Sequence, residues 1–185
     1  MLKNSHIENA LKTINNEIDA LKKLTQNIDG SFSQACEMIL ACKGHIIMLG
    51  IGKSKHIASK VAATFSSTGT PSFFVHPAET GHGDFGMITK DDTIIAISNS
   101  GNTKEIVDML PAIKKLKLPL IAVTNNNSSC VAKAADVVLN TGVCKEACPL
   151  NLAPTTSSTV ALVLGDALAL SLLKLKQFSK KDFSR

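Results

Sequence analysis

Thr93-Ile94-Ile95-Ala96-Ile97-Ser98-Asn99-Ser100-Gly101-Asn102-Thr103-Lys104-Glu105-Ile106-Val107-Asp108-Met109-Leu110 sets the architecture of this chain. The apolar run Thr93–Ile97 reads as a buried strand. Lys104–Leu110 has helical spacing. Between them lies a turn crowded with hydroxyls around one glycine. A strand that feeds a helix this abruptly belongs to an α/β fold. The first N–H groups of the helix lack partners within it, and its dipole is positive at that end. Ser98, Ser100 and Thr103 can donate hydroxyl hydrogens, and Gly101 allows close backbone approach. The ligand this junction suits is a phosphate.

The same alternation runs outward in both directions. Ile46–Leu49, Ser72–Val75, Leu120–Val123 and Val137–Leu139 are further short apolar runs. Helical segments fall at about His56–Thr68, Thr103–Leu116, Ser128–Ala134 and Ser157–Lys176. Continuous apolar strands between helices indicate a five-stranded parallel sheet covered on both faces, a three-layer α/β sandwich of the flavodoxin or Rossmann kind. Ligands of such sheets bind beyond the carboxyl ends of the strands. An N-terminal helical extension, 1–43, precedes this domain at 44–185. Its Ile7, Leu11, Ile14, Ile18, Leu21 and Ile28 form one apolar stripe, which reads as core or as a seam for a second subunit. A second helix is expected from about Ser33 to Cys42.

Composition narrows the function. The 185 residues are 44% apolar and 19% charged, as in globular proteins, with net charge +5. The lysines are dispersed and Trp and Tyr are absent, which disfavours nucleic acid relative to a phosphorylated small molecule. Cys36, Cys42, Cys130, Cys144 and Cys148 contain no C-x-x-C pair, so free thiols in a reducing compartment are expected rather than disulfides or a metal site. The N-terminus does not resemble a signal peptide. The apolar run Val160–Leu173 is shorter than a membrane span and contains Asp166, so it reads as a buried helix.

Gly50-Ile51-Gly52-Lys53-Ser54 fails both familiar nucleotide patterns. Ile47 stands where a Walker A loop needs glycine, and Lys55 where a dinucleotide loop needs one. What remains is a glycine turn presenting Lys53 and Ser54; the lysine either meets an anion or is a solvated surface residue. His76-Pro77-Ala78-Glu79-Thr80-Gly81-His82-Gly83-Asp84 gathers polar groups after the second strand. His82, between glycines, suits a site, and His76 suits strand-end packing. Glu105 either favours the helix dipole or sits near the ligand's carbons. Glu146 is either a lysine's ion-pair partner or a general base. The Thr/Ser run Thr155–Ser158 is expected to cap the last long helix. A phosphate cradle with a lysine, a histidine and carboxylates suits proton abstraction beside a carbonyl.

Ser98–Thr103 resembles the phosphate loop of sugar isomerase (SIS) domains. Taken in order, Gly50–Ser54, Ala62–Pro71, His76–Glu79, His82–Asp84 and Lys145–Pro149 resemble the D-arabinose 5-phosphate isomerase family over about 46–183. The resemblance implies interconversion of D-ribulose 5-phosphate and D-arabinose 5-phosphate, the entry to 3-deoxy-D-manno-octulosonate of lipopolysaccharide. It implies a cytoplasmic homotetramer acting without cofactor; the readings against a metal, nucleic acid and a membrane rest on the composition and patterning above. By position, Lys53, Glu105 and Glu146 match catalytic residues and His82 an active-site histidine. Ser54, Ser98, Asn99, Ser100 and Thr103 match the phosphate shell. Family members usually continue past Asp182-Phe183 with a catalytic His-Pro-Gly-Gly segment and paired regulatory domains, whereas this sequence stops at Arg185. The chain alone is therefore expected to bind sugar phosphate and isomerise it poorly. Isomerisation of another sugar phosphate and non-catalytic sensing are the alternatives. Sensors of this kind carry a basic helix-turn-helix, and the mixed charges of the N-terminal helices do not resemble one.

Overall fold

The computed structural model describes residues 2–143 and 145–183. Strands β1 (Ile46–Gly50), β2 (Ser72–Val75), β3 (Thr93–Ile97), β4 (Leu120–Thr124) and β5 (Val137–Asn140) form one sheet in the order β2-β1-β3-β4-β5. Every pairing is parallel. β1, β3 and β4 are buried at every residue, as strands covered on both faces must be. The helices are α1 (Leu2–Asn27), α2 (Gly30–Ala41), α3 (Lys53–Ser67), α4 (Lys104–Lys115), α5 (Cys130–Ala134), α6 (Thr156–Leu175) and α7 (Lys180–Phe183).

Side chains alternate across each strand and divide the apolar residues into two layers. Ile46, Met48, Ile95 and Ile97 meet Val61 and Phe65 of α3 and Val160, Leu164 and Leu168 of α6. Ile47, Leu49, Ile94 and Ala96 meet Ile106, Met109 and Ile113 of α4. The α/β sandwich expected from the apolar runs is the one observed.

Several local expectations change. α2 begins at Gly30 rather than Ser33, because the Asp29 carboxylate accepts the Ser31 N–H at 2.8 Å and caps it there. α3 begins at Lys53 rather than His56, directly after the glycine turn. The polar segment after β2 folds into two 3-10 turns, Pro77–His82 and Asp84–Met87.

α6 is 20 residues long and by length and composition could cross a membrane, so the brevity of the apolar run does not separate the two cases. Its role in this fold is to pack on α3. A Cβ placed on Gly165 would lie 2.5 Å from Val61 Cγ2, so the two helices touch there. Asp166 pairs with Lys60 beside that contact.

Of the α1 stripe only Leu21 packs on the core. Ala20 and Leu24 are buried, whereas Ile7, Leu11, Ile14 and Ile18 are 42–60% exposed.

Candidate functional site

The strand order places a topological switch between β1 and β3. Gly50 at the end of β1 pairs with Ile97 at the end of β3. From Gly50 the chain enters α3 on one face of the sheet; from Ile97 it enters α4 on the other. The loops diverge and leave a crevice, the place where open parallel sheets hold ligands. Lys53 and Ser54 open α3 on one side of it, and Ser98–Thr103 forms the other. Gly50 itself must be small, since a Cβ there would lie 2.7 Å from the Ser54 carbonyl oxygen.

The Ser98–Thr103 loop is built from its own hydroxyls. The buried Ser98 Oγ lies 2.8 Å from Thr103 Oγ1 and accepts the Gly101 N–H at 3.1 Å. Ser100 Oγ accepts the Asn102 N–H. Asn99 and Ser100 are exposed. Thr103 occupies the N-cap of α4 without making a side-chain cap bond. Gly101 has φ +64, but its bare Cα faces the protein rather than a ligand: a Cβ would lie 2.0 Å from Ser129 Oγ. The expectation that Gly101 admits a ligand gives way to one that it admits α5.

Lys53 is exposed at the first position of α3, whose N-cap Gly52 offers no side-chain acceptor. Among the described residues no ion pair holds it. A cation at a helix N-terminus opposes the dipole and is locally unfavourable. Such conflicts with local preference concentrate at functional sites.

Glu146 departs from one of the two expectations made of it. It forms no ion pair with a lysine among the described residues. Instead Oε2 accepts the N–H groups of Thr155 (2.9 Å) and Ser157 (3.1 Å) and the Thr155 hydroxyl (3.2 Å). The carboxylate therefore caps α6, the task expected of the Thr/Ser run; Thr155 at the N-cap makes no side-chain cap bond of its own. Partial burial acts to raise the Glu146 pKa, but the bonds from Ser157 and Thr155 outweigh it and hold the carboxyl below its ordinary value.

Lys53 and Glu146 reach the same end of the sheet. Lys176, just past α6, donates to Gly69 O and Thr70 Oγ1, just past α3, so the two helices run parallel. Val61 lies eight residues after Lys53, and Gly165 nine after Thr156. With 1.5 Å rise per residue, the two helix starts stand about 12 and about 14 Å above the Val61–Gly165 contact. Glu105 lies in the first turn of α4, half-buried. His76 Nδ1 accepts the Ala78 N–H, consistent with packing at a strand end. The side chain of His82, and Cys144, lie outside the described residues.

Other residues emerge only in three dimensions. Asn125 Nδ2 donates to Val143 O at 2.6 Å and braces the segment leading to Glu146. Asn140 Nδ2 donates to Asn127 Oδ1. The Asn125-Asn126-Asn127 run after a strand was the available signal. A broad groove lined by Lys114, Lys117 and Lys133 lies elsewhere, between α2, α4 and α5, and includes none of the candidate residues.

The model of the SIS domain family matches residues 39–171. Arabinose 5-phosphate isomerase KdsD of Francisella tularensis is 60% identical over 183 residues, covering 97% of this chain and 56% of that protein. KdsD of Pseudomonas aeruginosa is 57% identical, with coverage of 96% and 55%. The chain thus spans just over half the length of these curated relatives. An Escherichia coli CFT073 protein solved in complex with arabinose 5-phosphate has a TM-score of 0.96 at 44% identity, covering 100% of this chain and 98% of that one. A Listeria monocytogenes structure described as a putative sugar-phosphate isomerase has a TM-score of 0.96 at 32% identity, covering 100% and 97%.

Proposed function

This chain belongs to the SIS domain family, and from that premise we propose that it is the isomerase domain interconverting D-ribulose 5-phosphate and D-arabinose 5-phosphate. The observation that carries the proposal is the convergence at the β1–β3 switch. There the hydroxyl loop Ser98–Thr103 opens one helix, and Lys53, Ser54 and the Glu146 segment attend two others. The names of its relatives supply the sugar.

Ser54, Ser98, Asn99, Ser100 and Thr103 hold the phosphate with the first N–H groups of α4. A carboxylate removes the hydrogen on C2 of the open-chain aldose, and electrons shift onto the C1 oxygen to give an enediolate. Passing the proton of the C2 hydroxyl to the C1 oxygen and returning the abstracted proton to C1 yields the ketose. Lys53 stabilises the enediolate as a point charge. Glu146 is the base, a carboxylate held at the start of α6 by the Thr155 and Ser157 donors. Glu105 and His82 complete the proton traffic near the reacting carbons. No cofactor or metal enters this route. The proposal extends to a cytoplasmic homotetramer serving 3-deoxy-D-manno-octulosonate synthesis; the exposed α1 stripe supplies an apolar face for such assembly.

Incubating the protein with D-arabinose 5-phosphate in D₂O tests the chemistry. The C2 proton signal should disappear as ribulose 5-phosphate forms. Glu146→Gln should lower exchange by about 10²–10⁴-fold, the usual contribution of one general base, while sugar-phosphate binding persists. Tight binding with no exchange in either form would make the domain a sensor.

A further inference from the structure

We propose that Thr155 is a positioning residue for Glu146: its hydroxyl ties Oε2 to the start of α6 and leaves Oε1 as the oxygen that takes the substrate proton. This rests on Glu146 being the base. Three donors converge on Oε2, namely the N–H groups of Thr155 and Ser157 and the Thr155 hydroxyl. All three are made by Oε2, and the Ser157 hydroxyl adds a looser contact to the carboxylate. A carboxylate oxygen offers about two lone-pair sites, so Oε2 is spent as an acceptor and proton affinity is concentrated on Oε1.

The Thr155 hydroxyl also fixes the backbone beneath the carboxylate. Oγ1 accepts the Ala147 N–H at 3.0 Å while donating to Oε2. A threonine at an N-cap ordinarily turns its oxygen to the second or third helical N–H. Thr155 makes no such bond and is turned toward Glu146 and Ala147 instead. From the other side, Asn151 Oδ1 accepts the Glu146 N–H at 2.9 Å. Backbone and side chain of Glu146 are thereby held together, which matters because proton transfer tolerates errors of only about 0.5 Å.

Thr155→Val removes the hydroxyl at nearly constant shape. Ala147 N–H keeps a partner in Thr156 Oγ1, and Oε2 keeps two backbone donors. Exchange at C2 should fall about tenfold, since a hydrogen bond to a charged group is the kind of interaction lost. Affinity for D-arabinose 5-phosphate should change less than about twofold. The acid limb of the rate profile should move to higher pH, and Thr155→Ser should restore both. Carbon NMR of the Glu146 carboxyl in the unliganded chain gives the same reading without turnover: its titration should move upward in Thr155→Val. Thr155→Ala, without the added methyl, provides a second variant and should behave alike. An unmoved carboxyl titration, or affinity falling as far as rate, overturns the positioning role. Wild-type exchange in Glu146→Gln would instead remove Glu146 as the base, a separable failure.

Discussion

Replacing Gly101 by alanine makes two demands of the phosphate loop at once. At φ +64 an L-residue costs about 1–2 kcal/mol. The new Cβ would also stand 2.0 Å from Ser129 Oγ and 2.8 Å from Thr124 Oγ1, both on buried residues. Overpacking of that kind costs about 1–3 kcal/mol. The expected total is about 3 kcal/mol, which for a domain of this size lowers Tm by about 10 °C. The strain falls on the loop itself, because the Gly101 N–H bonds Ser98 Oγ and the Gly101 carbonyl accepts the Val131 N–H. Affinity for sugar phosphate should therefore fall with stability. Urea unfolding of Gly101→Ala, Ser129→Ala and the double variant forms a thermodynamic cycle. Ser129→Ala loses the α5 cap, in which Ser129 Oγ accepts the Ala132 N–H, at about 1 kcal/mol. In that background Gly101→Ala should cost less, since the 2.0 Å Oγ contact is gone, although the Ser129 Cβ at 2.6 Å and Thr124 Oγ1 at 2.8 Å remain with the dihedral strain. An equal cost in both backgrounds would refute the claim that Gly101 exists to admit Ser129.

Three further outcomes follow from the same geometry. The folded-state pKa of Glu146 lies below its ordinary value of 4.5, so its contribution is full above that pH and is lost as pH falls through the folded pKa. Wild type should thus lose stability more steeply than Glu146→Gln below about pH 4.5, and parallel urea-unfolding curves would count against the capping carboxylate. Gly165→Ala should cost about 1–3 kcal/mol by overpacking against Val61, and Val61→Ala in the same chain should recover part of it; calorimetry that finds no recovery would place the contact elsewhere. Ile14→Lys, on the exposed α1 stripe, should lower the molar mass seen by light scattering and remove the dependence of Tm on protein concentration, whereas an unchanged mass would exclude that stripe as a subunit seam.

The sheet was legible because burial on both faces leaves its strands continuously apolar. Ser72–Val75 and Thr93–Ile97 coincide with observed strands. The helix starts were less so, since Lys53 at the head of α3 breaks the dipole preference that marks helix beginnings. The role of Glu146 as the cap of α6 was hidden because it acts across nine residues of irregular loop. Its partners Thr155 and Ser157 looked like the cap, being the residue types that usually serve. The α1 stripe left two readings open because periodicity shows that a face is apolar, not what covers it.

A crystal structure of the protein with D-arabinose 5-phosphate bound would place the substrate. The phosphate oxygens should lie within about 3 Å of N–H and hydroxyl donors of Ser98–Thr103. Glu146 Oε1 should lie about 3 Å from the reacting carbons' protons, with the Lys53 ammonium on the sugar oxygens. A sugar phosphate seated in the groove of Lys114, Lys117 and Lys133, or one whose carbonyl end points away from Lys53 and Glu146, would contradict the proposed site.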